Sequence, residues 1–342
     1  MRVSVIILNW NGERFLKQYL PVLIKNTQPE LAEIVVADNG STDNSLLLLR
    51  DEFPAVRLIT FDKNYGFAEG YNKALEQTDT EYTVILNSDV EVTPDWLLPL
   101  VDFMDVNANV AACQPKILAY YDRSRFEHAG AAGGFIDKFG FPFCRGRIFT
   151  EVEKDSRQYD DVSDIFWASG ACLFIRTEVF KKEGGFDADF FAHMEEIDLC
   201  WRLKSRGYRI SCVPQSVVYH VGGGTLNTEH PHKTYLNFRN NLLMLYKNLP
   251  ANKLWIVLIT RYFFDYVAAL QMYVTGKKPN ALSVLKARSD FAVMKLFYKE
   301  KRKENLSKTV IKELSGIYCG SLVLAAYIFG RKKFAELKNK IK

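Results

Sequence analysis

The six cysteines of this 342-residue chain, Cys113, Cys144, Cys172, Cys200, Cys212 and Cys319, include no CxxC pair. Scattered thiols fit a reducing compartment and speak against a structural zinc site. GxxxxGK[ST] is missing, so a P-loop ATPase or kinase would lack its phosphate cradle. No GxGxxG follows the first apolar segment, so dinucleotide redox chemistry loses its signature, and Ala168-Ser169-Gly170 is not the nucleophile elbow of an esterase. Internal repeats and low-complexity tracts are absent too. The opening MRVSVIILNWNGE has too short an apolar run for a secretory signal and reads as a strand, which predicts catalytic machinery facing the cytoplasm. What is present is ordinary for a globular protein: 48% hydrophobic and 25% charged residues, with 20 Gly and 11 Pro. Such a length holds a full α/β core and leaves about 100 residues for something else.

The net charge of +5 conceals a division. Residues 1–232 sum to −11 and residues 233–342 to +16. The basic tail suits a polyanionic surface, and its long apolar runs interleaved with lysines suit anionic lipid better than nucleic acid. Residues 254–274 have the length of a membrane span but contain Arg261 and Asp265, four residues apart and able to pair along one face. A second apolar run, 320–330, is too short to cross. Aromatic residues and flanking lysines favour helices lying in the bilayer interface, with a true span and a soluble helical cap as the alternatives.

Residues 1–106 alternate short apolar runs with helical patterns. Strands are predicted at 3–8, 34–37, 56–61 and 82–86, and helices at 13–25, 44–52, 66–77 and 94–106. This alternation predicts an α/β fold with a mostly parallel sheet flanked by helices. Ligands in such sheets bind beyond the carboxyl ends of the strands. The periodicity weakens over 114–164. Helical patterning returns at 177–183 and 195–205, followed by strands at 208–213 and 216–220 and a flexible Gly222-Gly223-Gly224 loop.

The residues after each strand are the candidates for chemistry. Asp38 can accept hydrogen bonds from a ribose or base, or can simply cap an Asx-turn. Asp89 and Glu91, two residues apart, form a plausible cradle for Mg²⁺ or Mn²⁺, or a solvated acidic turn. Glu195, Glu196 and Asp198 crowd the start of a helix, where negative charge is favoured by the helix dipole, and their mutual repulsion suits a general base. His220 ends an apolar run as a metal ligand or a satisfied structural histidine. Trp167, beside Ser169 and Gly170, offers a stacking surface for a pocket or a core aromatic.

Read together, these stretches resemble the family 2 glycosyltransferases, inverting enzymes of the GT-A fold, and within them the rhamnosyl- and galactofuranosyl-type members that build bacterial surface polysaccharide. The resemblance covers residues 1–245 through VIILNWNG (5–12), VADNGSTD (36–43), NYGFAEGYN (64–72), LNSDV (86–90), GGFD (184–187) and EEIDLCWR (195–202). It implies a GT-A domain over 1–245 and a basic, aromatic-rich, membrane-associating helical extension over 246–342. By resemblance, Asn9, Asn11, Asp38, Asn39, Asn64, Gly66, Phe67, Asn72, Asn87 and Ser88 bind the nucleotide sugar. Asp89, the surviving carboxylate of a DxD motif whose first member is Asn87 here, holds a divalent metal, Mg²⁺ or Mn²⁺, with Glu91 or His220 in support. The catalytic base falls on Glu196 or Glu195, with Asp198 a lesser choice, and Trp167, Ser169 and Gly170 line the acceptor side. The implied partners are a nucleotide-diphosphate sugar, a glycan or polyprenyl-diphosphate-linked acceptor and the anionic cytoplasmic face of the inner membrane. A sugar-phosphate nucleotidyltransferase and a non-catalytic sugar-nucleotide-binding protein are the competing readings; the first would need a basic glycine-rich loop where Asn9-Trp10-Asn11-Gly12 stands.

Overall fold

The computed structural model describes residues 1–222 and 230–342, so Gly223 and Gly224 of the expected glycine loop lie outside the described residues. Alternation in the sequence becomes alternation in space. β1 (Val3–Asn9), α1 (Glu13–Asn26), β2 (Ala32–Asp38), α2 (Ser45–Glu52), β3 (Arg57–Thr60), α3 (Gly66–Glu76) and β4 (Tyr82–Leu86) form a parallel ladder in the order β4-β1-β2-β3. Both faces are covered, as parallel strands require. Val5 and Ile7 of β1 join the apolar cluster that takes Leu16, Leu20 and Leu23 of α1, while Ile6 joins the opposite cluster with Ala68 and Tyr71 of α3.

β5 (Val90–Val92), α4 (Leu98–Val106) and β6 (Val110–Ala119) extend this layer. β7 (Gly134–Asp137), β8 (Pro142–Cys144), β9 (Arg147–Ile148) and β10 (Glu151–Val152) leave it to build a second sheet. β11 (Ser163–Asp164) and β12 (Cys172–Arg176) return, with β12 inserted antiparallel between β4 and β6. The result is a mixed nine-stranded sheet whose long ladders are parallel. After α5 (Thr177–Lys182) and α6 (Glu195–Ser205) comes β13 (Arg209–His220), one strand where the sequence suggests two. Its ladder slips between Val213 and Val217, around Pro214, which has no N–H to donate.

The tail comprises α7 (Pro231–Asn248), α8 (Ala251–Val274), α9 (Lys278–Ser307), β14 (Ile317–Tyr318) and α10 (Leu322–Tyr327). It is not an appendage. β14 pairs parallel with β7 as the fifth strand of the second sheet, and Phe334 packs its ring 4.8 Å from that of Phe135. The segment past α9 thus reaches back across the expected 245/246 boundary and completes a sheet begun near residue 134.

Arg261 and Asp265 pair at 3.1 Å, as their spacing predicts, and both face inward, where Arg288 of α9 reaches Asp265 at 2.5 Å. The opposite side of α8 carries exposed Trp255, Ile259, Phe263, Val267 and Leu270 without a charge among them. Among the described residues, α8 alone is long and apolar enough to cross a membrane, and 28% of its apolar stretch is buried.

Candidate active site

The carboxyl ends of β1, β2 and β4 meet along one rim. Asn9 and Asp38 end β1 and β2 as register partners. Asn9 Nδ2 donates to Asp38 Oδ2 at 3.0 Å, and Asp38 Oδ1 accepts the Ser41 N–H at 2.9 Å. Both readings of Asp38 are thus present in the geometry, a turn cap and a carboxylate at the rim, with a lone pair to spare on each oxygen. Asn11 stands at φ 51°, and its Oδ1 accepts the Thr42 N–H at 2.7 Å. Gly12 must lack a side chain, since a Cβ there would lie 2.4 Å from Asn9 Oδ1, with Ser88 Oγ at 3.7 Å.

Asn39 and Asn64 fasten the next loop. Asn39 Nδ2 donates to Asn64 Oδ1 and to the Gly66 carbonyl, each at 3.0 Å, and Asn64 Oδ1 accepts the Gly66 N–H at 2.8 Å. Gly66 has φ +78°, and a Cβ would strike the Phe191 ring at 2.5 Å, so only glycine fits. The Phe67 N–H then donates to the Phe191 carbonyl at 2.6 Å. The Phe67 ring closes on Gly170, whose Cβ position is 3.1 Å from the ring and 4.0 Å from Glu196 Cβ. Asn87 N–H donates to the carbonyl of Ala171, next to Gly170, at 3.0 Å. Asp38, Asn87 and Glu196 thus share one contiguous edge.

Asn87 also leads to the polar centre. Its Nδ2 lies 3.4 Å from His220 Nε2, which is 3.1 Å from Asp89 Oδ1. On the other side of the imidazole, Nδ1 is 3.4 Å from Glu127 Oε2. Burial alone would drive His220 to the neutral form, but the charges of Glu127 and Asp89 outweigh it and lift the imidazolium to about 10. No group of three His, Cys, Asp or Glu side chains among the described residues is arranged to hold a metal. As an imidazolium, His220 is bound to Asp89 as an ion pair and has no free nitrogen lone pair. Of the two, Asp89 alone is an oxygen donor suited to magnesium or manganese as the side chains stand, and His220 could join it only after losing its proton.

α6 begins after Met194, held at φ 74°. Burial and the neighbouring Glu196 push Glu195 well above the carboxylate range, and burial brings Glu196 up to about 7 against the pull of backbone N–H groups in the helix's first turn. Oε2 of each is buried without a hydrogen-bond partner among the described residues. Glu196 lies next to Gly170, with its Cβ 4.0 Å from the Gly170 Cβ position.

Five expected site residues take other places. Asp198 is fully buried and bonded to Arg202 Nε at 2.9 Å, Lys247 Nζ at 2.8 Å and Asn248 Nδ2 at 2.8 Å. Despite its burial, those cations hold it below the carboxylate range, so it is a charged anchor rather than a base. Glu91 is drawn to Arg123 at 2.7 Å, away from His220. Asn72 spends both amide atoms on Phe186, at 2.9 Å each, and secures the Gly184-Gly185 turn. Trp167 is a buried pillar, its Nε1–H donating to the Phe135 carbonyl at 2.9 Å and its indole filling the space a Gly134 side chain would need. Ser169 donates its hydroxyl to the Ala129 carbonyl, and its N–H reaches Gln114 Oε1 at 3.0 Å.

Two residues of the centre escape the sequence reading. Glu127 sits in the stretch of weak periodicity. Lys233, in the first turn of α7, is half-buried within the fields of Asp89 and Glu127, and its ammonium has no hydrogen bond or ion pair among the described residues. No local pattern marks either; only their spatial approach to Asp89 does.

With this geometry in view, likeness to known proteins becomes informative. Over 233 residues the chain is 26% identical to the N-acetylglucosaminyl-diphospho-decaprenol L-rhamnosyltransferase of Mycobacterium tuberculosis, covering 64% of this chain and 75% of that one. It is 26% identical over 265 residues to the rhamnosyltransferase WbbL of Escherichia coli K12, covering 74% and 94%. Among solved structures, GalNAc-T7 with UDP, GalNAc and Mn²⁺ superposes with a TM-score of 0.59 at 17% identity, over 85% of this chain and 54% of that one. The fold is the same. The sequence profile of Glycosyl transferase family 2 matches residues 4–184, more than half of the chain and every strand end that builds the rim, and the chain belongs to that family.

Proposed function

We propose that this chain moves a sugar from a nucleotide-diphosphate donor, with inversion, to a hydroxyl of a lipid-linked glycan in the assembly of a surface polysaccharide, a rhamnosyl transfer by likeness to its relatives. The observation that carries this is the contiguous rim joining Asp38, the Asp89–His220 pair and Glu196. Base and ribose contacts fall to the Asn9–Asn11 turn and Asp38, and the diphosphate to the neighbourhood of Asp89. Asp89 would hold a divalent cation, joined by His220 if the imidazolium gives up its proton, and the cation when bound supplies charge neutralisation for the departing diphosphate. Lys233 adds a fixed cation on the same side.

Glu196 Oε takes the proton from the acceptor hydroxyl. The hydroxyl oxygen forms its bond to the anomeric carbon as the bond to the diphosphate oxygen breaks, and the electron pair leaves with the nucleotide. One displacement inverts the centre and needs no covalent enzyme intermediate. The exposed apolar side of α8 and the basic residues around it would rest on the anionic cytoplasmic leaflet, so that a lipid-linked acceptor is met without leaving the bilayer.

The test is a panel of nucleotide sugars, with and without Mn²⁺, incubated with a polyprenyl-diphosphate-linked acceptor. Nucleoside diphosphate release and a glycosylated lipid are expected, both lost in E196Q. Pyrophosphate release from a nucleoside triphosphate and a sugar phosphate would replace this reading with nucleotidyl transfer.

A further inference from the structure

A cavity of about 450 Å³ opens among the start of α8, the β7–β8 turn and the segment leading into β14, and none of the residues assigned to donor or acceptor lines it. Phe139, Val257, Leu314 and Ile317 give it an apolar floor, and Lys138, Lys253 and Lys312 stand at its rim. The one acidic lining residue among the described residues, Glu313, is already engaged by Lys342 at 3.2 Å. Lys253 and Lys312 are exposed and have no carboxylate partner among the described residues. Ile256, 67% exposed, belongs both to the cavity wall and to the uncharged outer side of α8, next to Trp255 at 65%. The cavity therefore opens onto the surface proposed above to meet a bilayer.

An apolar floor beneath unneutralised ammonium groups, continuous with an exposed apolar helix face, is complementary to an amphiphile with an anionic head. A soluble phosphate would leave the floor in water, and an acyl chain without a charged head would leave the lysines unpaired. We propose that this cavity seats one acidic phospholipid, its phosphate between Lys253 and Lys312 and the start of an acyl chain over Ile256 and Val257. The seat fixes how the molecule sits on the leaflet, where the apolar face alone would let it rotate. It rests on the membrane reading of α8 and adds a defined site to it.

Cys319 lines the same cavity and is exposed, whereas the other five cysteines are buried. It is a built-in probe. Phosphatidylcholine vesicles with added phosphatidylglycerol are expected to protect Cys319 of the full chain from maleimide, and phosphatidylcholine alone to protect it far less. K253Q/K312Q should weaken phosphatidylglycerol-vesicle binding by about 25-fold or more, from about 5-fold per basic residue near an anionic surface. K295Q/K299Q, removing two lysines of α9 that do not line the cavity, should cost at most that general surface attraction and clearly less than K253Q/K312Q. Equal losses in the two double variants, or equal protection by both vesicle types, would overturn the seat while leaving the membrane reading intact. Binding to no vesicle would overturn both. Loss of lipid-linked acceptor turnover in K253Q/K312Q in neutral detergent would assign the cavity to the acceptor and overturn the proposal.

Discussion

Burial keeps the Glu196 carboxyl protonated up to about pH 7, and this one shift has opposite consequences for rate and for stability. A general base must be ionised, so kcat/KM for transfer should rise with pH through about 7 and level off above it. E196Q should lose on the order of 10²–10⁴-fold in rate, the usual worth of a positioned base. Stability moves the other way. Because the folded value lies above the unfolded one, the group's contribution is fully present below the unfolded range near 4.5 and is lost as pH rises through about 7. Wild type and E196Q should therefore melt together at pH 5 and diverge by pH 8, with the glutamine variant the more stable by at most about 3 kcal/mol. An equal difference between the two proteins at both pH values would show that the Glu196 carboxyl titrates in the ordinary range, and the rise of kcat/KM through about 7 would then be lost. The sequence placed this residue through its helix-start motif, but nothing in it could separate Glu196 from Glu195. The structure adds that Glu196 Cβ lies 4.0 Å from where a Gly170 side chain would start, a neighbour 26 residues away in the chain that no local pattern could supply.

Between elements, the two halves of the charge division meet in the interior. Lys247 of α7 bonds Asp187 at 2.7 Å and Asp198 of α6 at 2.8 Å, and Lys301 of α9 bonds Asp187 at 2.6 Å and Asp189 at 2.7 Å. Part of the tail's basic charge is thus spent stapling the tail to the acidic front, and the remainder stays on the surface. Removing one buried partner leaves the others uncompensated, which typically costs 3–5 kcal/mol, whereas an exposed pair is worth about 0–1 kcal/mol. K247M should accordingly lower the melting temperature severely. K332M, which breaks the exposed Lys332–Glu151 contact, should barely move it. Similar shifts for both would deny the staple its role. The composition revealed the division and suggested lipid as its partner, but it could not show that Asp187 and Asp198 face these lysines, because ion pairs 49 to 114 residues apart leave no periodic trace. β1–β4 and α1–α3 were legible for the converse reason, an apolar period of their own, whereas the three-residue β5 was too short to show one and α4 begins at Leu98, four residues after the Pro94 at which the sequence pattern puts its start. Arg261 and Asp265 were legible as a pair by their spacing, though not as facing inward.

At the scale of the whole molecule, the C-terminal segment decides whether the front half can stand alone. The resemblance to a family domain drew a boundary near residue 245, and a two-residue strand such as β14 is too short to leave a signal. Yet Ile317 and Tyr318 pair with Ile136 and Asp137, and the Leu322 N–H donates to Asp137 Oδ2 at 2.8 Å. Phe334 closes over Phe135, with Phe143 and Tyr159 at ring separations of 6.2 and 5.8 Å. A chain cut after residue 309 would open the β7 edge to solvent and to other chains and strip the cover from three buried aromatic rings. It would also withdraw one of the N–H donors that Asp137 depends on, a carboxyl that burial has already raised to about 6. The expected outcome is a protein that aggregates or unfolds without cooperativity, lacks protease protection over 134–164 and has no detectable transfer even to a soluble acceptor analogue. K342Q should leave the fold intact, since it removes only the pairing with exposed Glu313 and keeps the backbone bonds of residue 342 to Gly316 and Ile317. If the chain cut after 309 melts cooperatively near the full-length temperature and still binds nucleoside diphosphate, then the second sheet stands without its fifth strand, and the tail serves the membrane alone.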